Sequence, residues 1–107
     1  MSYKVLFTDT AKEDLRTLAL RIAEVSKDKE LAKRFVLGLR QSCKVLETFP
    51  ESGAIPRDRV LKSAEFRFLV YKDYLIFYTV DKENAAVNIV AVFNGKNDYM
   101  RIMRRYL

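Results

Sequence analysis

The apolar residues of this chain change period near its midpoint, and that switch limits the fold more than any other feature. From Leu15 to Leu46 they recur at three- and four-residue steps, whereas from Phe66 to Phe93 they alternate or run continuously. Steps of three and four place side chains along one stripe of a helix, and alternation places them on one face of a strand. A chain written this way folds as helices followed by a sheet, each covering the other.

Within that frame the elements can be placed. Tyr3 to Phe7 is a short β-prone run that opens the chain as a strand. It ends at Thr8-Asp9-Thr10, and Thr10 with Glu13 has capping-box spacing, which predicts the start of a first helix. Leu15, Leu18, Ala19, Ile22 and Val25 form its apolar stripe. Ser26-Lys27-Asp28 interrupts the pattern, and Asp28 is placed to cap a second helix whose face carries Leu31, Phe35, Leu39, Cys43 and Leu46. Two helices across a short polar turn make an antiparallel helical hairpin. Phe49-Pro50 closes it, because proline disfavours the helical state of the residue before it. Glu51 to Glu65 contains Ser52-Gly53 and Pro56 without periodicity and reads as a loop.

Three strand-like runs follow: Phe66 to Val70, Tyr74 to Val80, and Val87 to Phe93, with a polar turn at Asp81 to Asn84. They predict an antiparallel meander buried on one side by the helices. Tyr99, Ile102, Met103 and Tyr106 fit a short C-terminal helix or tail packing back on the sheet. The expectation is one α+β domain, residues 1–107, with two layers in the order β-α-α-β-β-β.

Composition removes several chemistries. With 107 residues, half of them hydrophobic, the chain buries roughly 60–70% of its unfolded surface without disulfides or metal. It has no histidine, which excludes imidazole bases and His-ligated metals. Cys43, the lone cysteine, falls on the apolar face of the second helix and reads as core. Asp9, Asp14 and Asp73 are scattered without metal-like spacing, and Asn94-Gly95 is a turn signal rather than a phosphate cradle. No cofactor or metal is therefore expected. No apolar run approaches the roughly 18–20 residues of a membrane span, and the opening residues lack the apolar stretch of a signal peptide. The expectation is a cytoplasmic protein with no membrane partner.

Charge points the other way, toward a partner. Lys+Arg is 20 against Asp+Glu 14, a net +6. Ten cations meet eight acids up to residue 54, and ten meet six beyond it. If the loop before the second strand and the tail share one edge of the sheet, Arg57, Arg59, Lys62, Lys72, Arg101, Arg104 and Arg105 form a basic patch flanked by Tyr71, Tyr74 and Tyr99. Taken singly, these positions are accounted for by solvated charge and core aromatics. Their collective bias favours contact with a nucleic acid or an acidic protein.

The run from Phe66 to Tyr99, F-R-F-L-V-Y-K-D-Y-L-I-F-Y-T-V-D…N-I-V-A-V-F-N-G-K-N-D-Y, resembles the sheet of the RelE/ParE toxin superfamily. There an arginine-led strand precedes a Y-x-I-x-Y-type strand and an apolar strand ending in G-K-x-D-Y. Thr8 to Leu15, T-x-x-A-x-x-D-L, and the helical hairpin ending in F-P resemble its amino-terminal half. The resemblance implies a β-α-α-β-β-β toxin of a type II toxin–antitoxin (plasmid stabilisation) module. Such a toxin arrests bacterial growth and is neutralised by a cognate antitoxin, whose acidic C-terminal segment wraps it, with higher-order toxin–antitoxin assembly.

The resemblance implies two mechanisms. RelE-like members cleave mRNA in the ribosome as metal-independent endoribonucleases, whereas ParE-like members block DNA gyrase without hydrolysis. Arg67 matches the arginine of the first sheet strand, while Leu75 takes the place of a second sheet arginine. Lys96 and Tyr99 stand in for an arginine-rich stretch, Asn97 replaces a frequent arginine, and Asn94 replaces an aromatic or histidine. If the chain is a nuclease, Arg67, Lys96 and Tyr99 are its catalytic set. Each missing preorganised cation costs on the order of 10²–10³ in rate, so the balance tilts toward gyrase inhibition. A third reading, a non-toxic basic nucleic-acid-binding module, ranks lower because the chain carries no RNP-like, helix-turn-helix or KH motif.

Overall fold

The structure, a computed structural model, describes residues 2–107; Met1 of the expected domain lies outside them. The elements are β1 (Lys4–Phe7), α1 (Asp9–Ser26), α2 (Lys29–Ser42), a single turn α3 (Val45–Thr48), α4 (Arg59–Ser63), β2 (Arg67–Tyr71), β3 (Tyr74–Asp81), β4 (Ala86–Asn94) and α5 (Tyr99–Met103), closed by a 3₁₀ turn at Arg104–Tyr106.

The helix starts show where local chemistry and tertiary pairing compete. The first helix is capped by Thr8, whose hydroxyl accepts the Ala11 N–H at 3.2 Å, so the expected Thr10–Glu13 box is not the cap and Thr10 is already helical. Thr8 wins because its own N–H still bonds Ile89 of β4 at 3.0 Å, making it the residue where strand pairing ends. Asp28 caps α2 as expected, accepting from Glu30 and Leu31 at 3.0 and 3.1 Å. The expected loop from Glu51 to Glu65 contains α4, capped by the Asp58 carboxylate and burying Leu61 completely. A five-residue helix is too short for hydrophobic periodicity to register. The apolar stripes also shift at the helical turn. Val25 is 81% exposed and Leu31 41%, while the small Ala32 is buried where the two helices close.

The sheet order is β1-β4-β3-β2. The last three strands form the expected antiparallel meander, with Arg67 opposite Tyr78 and Tyr74 opposite both Tyr71 and Asn94. The first strand departs from the antiparallel pattern and lies parallel to β4, from Lys4↔Ala86 to Phe7↔Ile89. Parallel neighbours need a crossover, and the chain from α1 to β3 supplies it.

One face of the sheet packs on the helical hairpin: Leu15, Leu18, Leu39, Cys43 and Leu46 meet Ile76, Tyr78, Val87 and Ile89. On the other face Phe77 and Ala91 are covered by Leu61 of α4, Phe66 and Met103 of α5, so the C-terminal segment does fold back. Between Phe77 and Tyr78 the register slips, with Phe77 opposite Ala91 and Tyr78 opposite Ile89, which leaves Val90 unpaired in a β-bulge.

Candidate functional site

Arg67, the first residue of β2, takes its direction from the sheet. Cross-strand partners share a face, so its pairing with Tyr78 aims it to the helical-hairpin side. There it meets the segment after α3. Its Nη1 donates to the carbonyls of Glu51 at 3.0 Å and Gly53 at 3.1 Å, and its Nη2 lies 3.4 Å from Glu51 Oε2. Glu51 Oε1 is also 3.4 Å from Lys82 Nζ. The same segment is tied from beneath by Tyr78, whose buried hydroxyl accepts the Gly53 N–H at 2.9 Å; burial pushes that phenol above its usual range. Gly53 is required here, since a Cβ would stand 2.5 Å from Tyr78 Oη and 2.9 Å from the Phe68 carbonyl. The two bonds between Ala54 and Phe68 complete the clasp.

The other two expected catalytic residues lie elsewhere. Lys96 follows the Asn94–Tyr74 pair, at the far end of β3 from Arg67. Four residues of strand separate the two ends, about 13 Å at ~3.3 Å per residue. Tyr99 packs its ring 6.0 Å from Phe77, on the opposite face of the sheet. Arg67, Lys96 and Tyr99 are thus not brought together. Tyr71 and Tyr74 do converge, each edge-on to Phe35 at 5.4 Å, with Lys72 Nζ 5.5 Å above the Phe35 ring and 5.7 Å above Tyr71. Lys72 thereby joins an aromatic cluster rather than the remaining cations.

Those cations are gathered by α5, not by a sheet edge. The loop entering β2 and the segment leaving β4 lie at opposite ends of the strands. The C-terminal helix then crosses the second face, so that Met103 reaches Leu61. The helices α4, with Arg59 and Lys62, and α5, with Arg101 and, at its end, Arg104, therefore cover the same face of the sheet. These four and Arg57 are exposed and take part in no ion pair among the described residues. Arg105 instead faces Asp14, which accepts the Val92 N–H at 2.9 Å where β4 runs on past β1. Burial holds the Asp14 carboxyl above its ordinary range, against the opposing pull of Val92 and Arg105. Cys43 is core as expected, its thiol pushed up to about 11 by burial.

A further concavity lies on the helical layer, away from the residues the sequence singles out. Between α1 and α2 runs a groove of about 850 Å³, floored by Leu15, Ala19, Leu20, Ala32 and Leu37. Its rim carries Lys12, Arg16, Lys29, Lys33 and Arg40 and no acid. Arg16 pairs with Glu13 and Lys33 with Glu30 along their own helices. Leu20 and Leu37 are 66% and 63% exposed. The four-residue spacings of Lys12 with Arg16 and Lys29 with Lys33 were the available signal, but they look the same on any solvated helix. A second concavity of about 330 Å³ continues past Leu37 and Arg40 to Val5 and Phe7 on the edge strand; Arg40 lies 4.7 Å above the Phe7 ring.

No helix among the described residues is long and apolar enough to cross a membrane. Residues 5–99 match the family model described as the ParE toxin of the type II toxin–antitoxin system, parDE. Among solved structures, the chain is similar to the chromosomal ParDE toxin–antitoxin system of P. aeruginosa, with a TM-score of 0.71 at 18% identity over 87% of this chain and 96% of that one. It is similar to the RelBE2 toxin–antitoxin complex of Mycobacterium tuberculosis, with a TM-score of 0.62 at 23% identity over 88% and 92%. A doubly substituted E. coli RelE toxin in the free state gives 0.63 at 16% identity over the full length of both chains. No curated protein matches the sequence significantly.

Proposed function

We propose, for a chain that belongs to the ParE toxin family of type II toxin–antitoxin systems, that it arrests growth by holding DNA gyrase rather than by cutting ribosome-bound mRNA. The observation that carries this reading is the dispersal of Arg67, Lys96 and Tyr99. The guanidinium is engaged by Glu51 and Gly53, on the opposite face of the sheet from Tyr99. Stabilising a phosphoryl transition state requires cations fixed together around one phosphate. Binding a large partner does not; exposed cations on and beside the two helices that cover one face of the sheet, here Arg57, Arg59, Lys62, Arg101 and Arg104, give attraction and orientation.

The antitoxin follows from the same surface chemistry. Two of the structures this chain is similar to are toxin–antitoxin systems. The groove between α1 and α2 offers an apolar floor inside a cationic rim, which fits an amphipathic helix with acidic flanks, and the adjoining edge of β1 accepts an extended strand. A cognate acidic antitoxin segment is the occupant this geometry favours.

Purified protein tests the target directly. The expected result is inhibition of gyrase supercoiling with intact message in a primer-extension assay on translating ribosomes. Cleavage of message in the ribosomal A site, lost when Arg67 and Lys96 are both alanine, overturns the gyrase reading in favour of the nuclease one. Normal growth of cells that accumulate the folded protein without antitoxin counts against toxicity of either kind.

A further inference from the structure

The C-terminal segment is held to the rest of the protein by side chains. Among the described residues, its backbone hydrogen bonds beyond Asn97 stay inside the segment, as those of Ile102 to Asp98 and Leu107 to Arg104 do. Its apolar anchor is Met103, fully buried and packed with Tyr99, Met100 and Tyr106 against the face that bears Phe77 and Ala91. Its other end meets α1. Parallel pairing with β1 stops at Phe7↔Ile89, so β4 is uncovered on that side further along, and Asp14 accepts the Val92 N–H there at 2.9 Å. Arg105 and Tyr106 come round this open edge to the same carboxylate. Asp14 is therefore the point where α1, β4 and the C-terminal segment meet.

The charge of Asp14 is not accounted for by β4. A neutral amide oxygen also accepts from Val92, and burial works against the ionised form. What an amide lacks is attraction for Arg105. That guanidinium is exposed and makes no contact ion pair among the described residues, so the attraction acts through space. Residues 99–107 contain Arg101, Arg104 and Arg105 and no acid, so these cations repel one another and find no partner within their own segment. We propose that Asp14 is the positioning residue of the C-terminal segment: its negative charge offsets that repulsion and keeps Arg105 at the β4 edge, which leaves Arg101 and Arg104 exposed on a seated α5. The seat itself does not depend on the target; only its use in meeting gyrase rests on the function proposed above.

The test is limited trypsin digestion of the full chain, reading by mass spectrometry the cleavage after Arg101 relative to cleavage after Arg57, in the loop before α4. A protease needs the backbone pulled out of the helix, so the ratio follows the open fraction of the segment. The expected result is a ratio about threefold higher in Asp14→Asn and in Arg105→Gln. The double variant should also stay near about threefold, because either single change already removes the shared interaction; independent effects would multiply to about ninefold. Glu24→Gln, which takes an equal charge from the far end of α1, should leave the ratio unchanged. The urea midpoint of Asp14→Asn at pH 7 should not fall. Seat and global stability then part company, which an aspartate serving only to brace β4 would not produce. An unchanged ratio in Asp14→Asn, multiplying effects in the double variant, an equal rise in Glu24→Gln or a lowered midpoint in Asp14→Asn overturns the proposal. A parent protein that leaves gyrase supercoiling untouched fails the functional reading instead, and the cleavage ratios still decide the seat.

Discussion

Replacing Arg67 by alanine separates a structural clasp from a catalytic group. In the clasp reading, the loss is set by what the guanidinium holds. The ion pair to the half-exposed Glu51 carboxylate contributes about 0–1 kcal/mol. The two bonds from Nη1 to the Glu51 and Gly53 carbonyls are charge-assisted and partly solvated, at about 1–1.5 kcal/mol each. Together they come to about 3 kcal/mol, a large share of the 5–15 kcal/mol that typically holds a domain folded. Thermal unfolding followed by circular dichroism should show Tm lowered by about 12–24 °C, at ~4–8 °C per kcal/mol for a domain of this size. A lysine at position 67 reaches one carbonyl rather than two, and should recover about half the loss. Growth arrest on induction should then fall only as far as the folded fraction falls. An alanine variant that melts within about 2 °C of the parent and yet abolishes growth arrest refutes the reasoning and returns Arg67 to the target or the substrate.

Other positions give equally direct outcomes. Asp14 is held above its ordinary pKa by burial, with Glu13 adding to the rise and the Val92 N–H and Arg105 opposing it, while Tyr106 faces the same carboxyl. A raised native pKa makes the ionised carboxylate a net cost that appears as pH rises from the unfolded value, about 4, through the native one. Asp14→Asn keeps an acceptor for Val92 without the charge, so its urea midpoint at pH 7 should equal or exceed the parent's, with the advantage disappearing toward pH 3; a lower midpoint at pH 7 contradicts the sign. Asp14→Ala leaves the Val92 N–H bare, at a loss of about 1–3 kcal/mol. Tyr78→Phe does the same to the Gly53 N–H and should cost a similar ~1–3 kcal/mol in a urea titration. Gly53→Ala should cost more and be only partly rescued by Tyr78→Phe, because the Phe68 carbonyl also blocks the new methyl; full rescue would place the whole clash on the hydroxyl. Lys29→Glu with Lys33→Glu should weaken binding of the cognate antitoxin about 10–100-fold at low salt and less at high salt, with Tm little changed. An unaltered affinity moves the antitoxin off this groove.

The period of the apolar residues is enough to place the helical hairpin and the meander, because burial against one neighbour imposes the period. What escaped it depends on contacts between distant segments. Thr10 satisfies the local capping rule better than Thr8, but only Thr8 is fixed by a bond to Ile89 across the sheet. The helix α4 rests on one buried leucine and one capping aspartate, too few residues to show a period. Arg67 was legible as a special residue and its partner was not, since Glu51 lies sixteen positions upstream and is delivered by the pairing of Ala54 with Phe68. The cations of the groove rim read as solvated helix faces until α1 and α2 are set side by side with Leu20 and Leu37 between them.

The alternation of a strand explains why the expected catalytic set disperses on this backbone. Arg67 shares a face with Tyr78, and Tyr99 packs against Phe77, one residue away on β3 and on the other side. A cation on β2 or β3 can share a face with Tyr99 only from positions such as 68, 70, 75 or 77, which this chain fills with Phe68, Val70, Leu75 and Phe77. Leu75, opposite both Val70 and Phe93, stands where the resemblance would put a second arginine. There it packs in the cluster that seats α4 and α5. A guanidinium at 75 would have to desolvate against Phe77 and Phe93 and would loosen the helices that display Arg59, Lys62, Arg101 and Arg104. Phe68, Leu75 and Phe77, which deny this face a preorganised phosphate clamp, are therefore also among the residues that seat the helices bearing the exterior cations, which supports the proposed reading of a protein that binds its target over one that cuts it.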